Sequence, residues 1–133
     1  MFHGKKIALV LPAYNEEKQI GEVIAAIPEF VDHIIVVDDG STDRTVEIAT
    51  KAGAVTVSHK KNRGVGAAFN TGVRTVLEME ADIMVNMDAD GQFNPGDIEK
   101  LILPILEGKA GFVTASRFID KAFIPRMPPI KKI

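Results

Sequence analysis

Two aspartates separated by one residue, Asp88 and Asp90, follow directly on the apolar run Ile83-Met84-Val85-Asn86-Met87. On an extended backbone, residues i and i+2 point to the same side, so these carboxylates share one face at a strand end. They repel each other unless a cation or hydrogen bonds offset the charge. A hard divalent cation with oxygen ligands, Mg²⁺ or Mn²⁺, is the natural partner, completing its shell with waters and substrate phosphates. A solvated turn also accommodates Asp-Ala-Asp, so the pair gains meaning only from the company it keeps.

Three further segments supply that company. Val37-Asp38-Asp39-Gly40-Ser41-Thr42-Asp43 also ends an apolar run. Thr42 can cap the helix that follows and Gly40 permits a tight turn, but capping leaves Asp38 and Asp39 unexplained; a carboxylate there can accept hydrogen bonds from a base or ribose. In Leu11-Pro12-Ala13-Tyr14-Asn15-Glu16-Glu17, Asn15 reads as a helix cap with two acids favoured by the helix dipole. Tyr14, the sole tyrosine, suits either stacking on a base or a half-buried structural place. Asn62-Arg63-Gly64-Val65-Gly66 begins like a dinucleotide fingerprint, but Phe69 stands where the third glycine belongs. As a basic, glycine-rich approach to a helix N-terminus, it can still meet a diphosphate.

These segments need a scaffold. Short β-branched runs predict buried strands over Lys6–Leu11, His33–Val37, Val55–Ser58, Ile83–Met87 and Phe112–Ala115. Helical spacing relates Ile20, Val23, Ile24 and Ile27; Phe69, Val73, Val76 and Leu77; and Ile98, Leu101, Ile102 and Ile105. Asn94 and Pro95 form a start signal for the last helix, and Pro104 should kink or end it. Repeated β-α units imply a mostly parallel α/β sheet with helices on both faces. Ligands then bind beyond the carboxyl ends of the strands where the winding reverses. The loops at Pro12–Glu16, Asp38–Ser41 and Asp88–Gln92 should therefore gather at one edge.

Composition agrees with such a scaffold. The 133 residues are 46% hydrophobic but only 6% aromatic, as befits an aliphatic core of parallel strands. Sixteen basic residues stand against 18 acidic ones, for a net charge of -2, unlike the basic footprint of a nucleic-acid binder. There are no cysteines, which excludes disulfides, thiolate nucleophiles and Cys-ligated zinc and fits a cytoplasmic location. Ile7 to Leu11 is too short for the core of a signal peptide, and no run approaches the ~18 apolar residues of a membrane span.

The order of the motifs is informative. Pro12-Ala13-Tyr14-Asn15-Glu16, Val37-Asp38-Asp39-Gly40-Ser41, Asn62-x-Gly64-x-Gly66 with Asn70-x-Gly72, and Asp88-Ala89-Asp90-x-Gln92 together resemble family 2 glycosyltransferases. Within them, the chain is most similar to dolichyl- or polyprenyl-phosphate hexose synthases. The resemblance implies a GT-A fold, with residues 1–133 as its nucleotide-sugar-binding part, the acceptor part lying beyond them. It places Pro12, Ala13, Tyr14, Asn15 and Glu16 around the nucleoside. Asp39 would contact the base, with Val37 and Asp38 in the same motif. Gly64 would lie near the diphosphate. Asp88 and Asp90 would hold ribose and metal-diphosphate as the catalytic and metal-binding pair, with Ala89 between them and Gln92 alongside. Arg117, in Ser116-Arg117-Phe118, would face phosphate.

The implied reaction is inverting transfer of a hexose from a GDP- or UDP-linked sugar to an acceptor such as a polyprenyl phosphate. A phosphate acceptor is already anionic, so a strong protein base is not required. The segment Arg117–Ile133 carries five basic residues and one acid among apolar ones. It could lie against an anionic membrane surface, which would make the protein peripheral at the cytoplasmic face. A nicotinamide dehydrogenase is disfavoured by the broken glycine fingerprint. A sugar nucleotidyltransferase is disfavoured by Pro12-Ala13-Tyr14-Asn15 where a glycine-rich loop should stand. A donor-binding chain without turnover of its own is the remaining rival.

Overall fold

The computed structural model describes residues 4–87, 98–102 and 112–115. They run β1 (Ile7–Ala13), α1 (Ile20–Ala25), β2 (His33–Asp38), α2 (Thr45–Lys51), β3 (Val55–Ser58), α3 (Val65–Glu78), β4 (Ile83–Met87), α4 (Ile98–Ile102) and β5 (Phe112–Ala115). The five strands form one sheet in the order β3-β2-β1-β4-β5, every neighbouring pair parallel. β1 is central, and Ile7 to Leu11 are wholly buried. A strand covered on both faces needs apolar residues at every position, not at alternate ones.

The two faces have separate cores. On one, Ile7, Leu9, Leu11, Val36 and Val85 pack against Ile20, Val23 and Ile24 of α1, Ala49 of α2, and Ile98 and Ile102 of α4. On the other, Ala8, Val10, Ile35, Val37 and Met84 pack against Ala68 and Val76 of α3. The helix lies close to β1 there: a Cβ on Gly72 would meet Val10 Cγ1 at 2.7 Å. Both faces are covered, as the alternating pattern requires.

The chain winds outward from β1 through β2 to β3, then returns to place β4 on the other side of β1. The winding therefore reverses between β1 and β4, and the carboxyl ends of β1, β2 and β4 point to the same edge. The opposite edge is closed by two carboxylates. Asp82 Oδ2 accepts the Lys6 amide and Asp32 Oδ2 accepts the Ile7 amide, both at 2.8 Å.

Three strands have the expected bounds, and two extend further. β1 runs on to Ala13 through Pro12, because pairing with β4 ends at Val10↔Asn86. Only β2 borders the strand at Pro12, so on the β4 side its missing N–H removes no ladder bond. β2 reaches Asp38, paired with Ala13 and Ser58. α1 stops at Ala25, and Ile27 packs against the core from the turn beyond it. Leu77 does not follow the inward face of α3 and is exposed. The signals at Asn94, Pro95 and Pro104 lie outside the described residues.

Candidate functional site

Two of the three loops expected at the carboxyl edge meet there. The Asp39 amide donates to the Ala13 carbonyl at 2.9 Å, continuing the β1–β2 ladder one step past the strand. Beyond it, the loops after β1 and β2 exchange hydrogen bonds reciprocally. The amides of Asn15, Glu16 and Glu17 donate to Ser41 Oγ, Thr45 Oγ1 and Asp43 Oδ2. In return, the amides of Thr42 and Arg44 donate to Asn15 Oδ1 and Glu17 Oε1. Asn15 adopts φ +52° to take part, a left-handed conformation that asparagine tolerates.

These bonds correct two local expectations. Asn15 does not cap α1, which starts at Ile20 after Gln19 without a side-chain cap. Thr42 does not cap α2. Asp43 Oδ1 instead accepts both the amide and the hydroxyl of buried Thr45 at that helix start. Asp43 is held below its ordinary carboxyl pKa: burial pushes it up, and the hydrogen bonds from Thr45 and Glu17 overcome that.

Asp39 is both buried and firmly held. It is buried on the α3 face, and its carboxylate accepts three hydrogen bonds. His59 Nδ1 and the Arg63 amide meet Oδ1 at 2.8 and 2.9 Å, and the Gly64 amide meets Oδ2 at 2.8 Å. Asn62 Nδ2 also donates to the Asp39 carbonyl at 3.2 Å. Burial raises the Asp39 pKa, but the bonds from His59, Arg63 and Gly64 outweigh it and hold the carboxyl below its ordinary value. Gly64, expected beside a diphosphate, here gives its amide to Asp39 as it leads into α3. Lys60, Lys61 and Arg63 are exposed on this same stretch, a basic rim suited to phosphate.

Asp38 points to the opposite face of the sheet. Its Oδ2 accepts the Ser41 amide at 3.1 Å. Its Oδ1 and Asn86 Oδ1 are buried without a partner among the described residues. Pro12 and Val37 face each other across the ladder. Tyr14 is 47% exposed just past β1. Asp88, Ala89, Asp90, Gln92 and Arg117 lie outside the described residues; Met87, which precedes Asp88, ends β4 at this edge. Among the described residues, no three His, Asp or Glu side chains cluster to hold a metal, and no helix is long and apolar enough to cross a membrane.

His59 and Thr71 had no place in the sequence reading. A histidine in the run Ser58-His59-Lys60-Lys61 looks like a solvated turn residue. The signal was in the register: β2 and β3 pair Asp38 with Ser58, so the residues just after them, Asp39 and His59, are neighbours too.

A parallel sheet whose winding reverses at β1 and whose polar loops meet at the carboxyl edge defines an α/β domain with a candidate ligand site at that edge. The model of Glycosyl transferase family 2 matches residues 8–132, and the chain belongs to that family. An uncharacterised protein of Methanocaldococcus jannaschii is 43% identical over 129 residues, covering 96% of this chain and 53% of the relative. A UDP-N-acetylglucosamine–dolichyl-phosphate N-acetylglucosaminyltransferase of Methanococcus voltae is 37% identical over 147 residues, covering 97% and 59%. Glucosyl-3-phosphoglycerate synthase of Mycobacterium tuberculosis, solved with Mn²⁺, UDP-glucose and phosphoglyceric acid, is 36% identical with a TM-score of 0.67. That match covers 79% of this chain and 40% of the synthase. The chain thus spans about half the length of the curated relatives it matches, and the architecture is GT-A-like.

Proposed function

We propose that residues 1–133 form the donor-binding part of an inverting glycosyltransferase that takes a hexose from a UDP-linked sugar. The observation that carries this reading is Asp39: a buried, ionised carboxylate locked at the carboxyl edge, with Tyr14 exposed and a basic rim at the same edge. A fixed carboxylate accepts an N–H, which uracil and guanine both offer. UDP is favoured because the Methanococcus voltae relative is named for UDP-N-acetylglucosamine and the Mycobacterium tuberculosis synthase was solved with UDP-glucose.

Asp88 and Asp90 are the residues that would hold Mg²⁺ or Mn²⁺. Their all-carboxylate donor set fits a hard cation, and the related synthase was solved with Mn²⁺. Such an ion would neutralise charge on the departing diphosphate. The chain's own residues would bind and orient: Asp39 and Tyr14 the base, and Lys60, Lys61, Arg63 and Arg117 the phosphates. The acceptor is proposed to be a dolichyl or polyprenyl phosphate, a reading supported by the names of a dolichyl-phosphate transferase of Methanococcus voltae and a polyprenol monophosphomannose synthase among the relatives.

Thermal unfolding with nucleoside diphosphates, with and without Mg²⁺ or Mn²⁺, tests the donor site, since a ligand of the native state raises its stability. UDP should raise the midpoint, and more so with metal; Asp90→Ala should abolish the metal-dependent part. Equal shifts with and without metal would sink the assignment of Asp88 and Asp90. No shift with any nucleotide would leave donor binding without support. Labelled UDP-sugar offered with polyprenyl phosphate in vesicles, or with phosphoglyceric acid, separates the acceptors. Binding without transfer to either would favour a donor-binding chain that needs a partner.

A further inference from the structure

His59 is a buried titratable group that the donor reading does not use. Its ring bridges two elements: Nδ1 lies 2.8 Å from Asp39 Oδ1, and Nε2 lies 2.8 Å from Thr71 Oγ1 in the second turn of α3. All three side chains belong to buried residues. An ionised carboxylate only accepts, so Nδ1 carries the hydrogen. In the neutral ring Nε2 then accepts the Thr71 hydroxyl. Thr71 rides on a helix packed against β1 and β2, so the relay anchors Asp39 to the sheet core.

The carboxylate offers about four lone-pair sites. Oδ1 is filled by His59 and Arg63, and Oδ2 receives Gly64. Among the described residues one acceptor site remains, on Oδ2, and the carboxylate cannot turn it elsewhere without breaking these bonds. We propose that His59 is a positioning residue for base selectivity. By occupying Oδ1 and anchoring it through Thr71, it presents one fixed acceptor to the base. Such an acceptor takes the N3–H of uracil and opposes the N3 lone pair of cytosine, and a site built around one hydrogen bond discriminates strongly against a base lacking it. This inference rests on Asp39 meeting the base.

Calorimetric titration of the chain with UDP and with CDP, each with Mg²⁺, tests it. The wild type should prefer UDP. His59→Leu should weaken UDP by about tenfold, because Asp39 then loses its fixed orientation and its hydrogen bond to the base weakens, while leaving CDP nearly unchanged. His59→Asn places an amide N–H near the position of Nδ1 and should restore most of the preference. A histidine that merely supports the fold would weaken both nucleotides alike. The proposal fails if folded His59→Leu keeps the wild-type UDP-to-CDP ratio, or if His59→Asn does no better than His59→Leu. Should His59→Leu not fold, Thr71→Val takes its place. It removes only the far end of the relay and must narrow the ratio, and an unchanged ratio overturns the proposal. A wild type that binds neither nucleotide overturns the donor reading itself. A wild type that binds UDP, paired with an indifferent His59→Leu, overturns the role of His59 alone.

Discussion

Replacing Gly40 by alanine probes how closely the loop after β2 approaches the stretch before α3. Gly40 has φ +84°, and an added Cβ would lie 2.5 Å from Asn62 N, 2.7 Å from Lys61 C and 3.0 Å from Lys61 Cα. All three are main-chain atoms, so no rotamer change relieves the contact. The left-handed conformation alone costs a non-glycine residue about 1–2 kcal/mol. Moving Lys61 and Asn62 away pulls on the Arg63 and Gly64 amides that hold Asp39. Losing one hydrogen bond to a charged group costs about 1.5–3 kcal/mol. Gly40→Ala should therefore destabilise the chain by about 3–5 kcal/mol, a large share of the ~5–15 kcal/mol that holds a domain folded. Gly53→Ala is the internal control: its φ is +102°, but nothing lies within 4 Å of the added Cβ, so only the strain of about 1–2 kcal/mol should appear. Urea unfolding of the three proteins near neutral pH measures both costs. If Gly40→Ala costs no more than Gly53→Ala, the close approach and the grip on Asp39 are wrong.

Acidification should destabilise the fold. Asp39 and Asp43 titrate below the ordinary carboxyl value of 3.8. Their contribution is therefore complete above that value and lost as pH falls through the lower folded-state values. Urea midpoints measured from neutrality into acid should fall in that window, and Asp39→Asn should make the fall shallower; an identical slope would show that Asp39 contributes none of it. Thr45→Val should remove the acceptor to which the Glu16 amide donates at 2.9 Å, at a cost of about 1–3 kcal/mol. Hydrogen exchange should then find that amide markedly less protected, and unchanged protection would deny the cross-loop bond.

The sheet was legible because its signal is local. Short, mostly apolar runs such as Ile7–Leu11 and Ile83–Met87, bounded by turn residues, read as buried strands, and alternation with helices favours parallel pairing. The strand ends were less legible. Pro12 reads as a terminator until the pairing shows only β2 beside it. The loops were misread for a related reason: Asn15 and Thr42 sit where local capping is the economical use of such residues. Their partners lie 27 positions apart in sequence, and no short-range pattern records that. Asp39 was legible as a residue that capping leaves unexplained. The grip on it was not, because His59, Arg63 and Gly64 reach it only through the fold. The family, by contrast, was legible from four motifs in order, which does not require knowing any contact between them.

The exchange of amides and acceptors between the loops after β1 and β2 also constrains how this protein could be altered. Each loop reads the other residue by residue, from Asn15 to Glu17 on one side and Ser41 to Thr45 on the other. An insertion or deletion of one residue in either would shift every donor away from its acceptor at once. The two loops are therefore fixed in length as a pair. If the proposed donor site holds, its preference should be altered at side chains that make no hydrogen bond across this seam, such as the exposed Tyr14, and loop grafts should exchange both segments together.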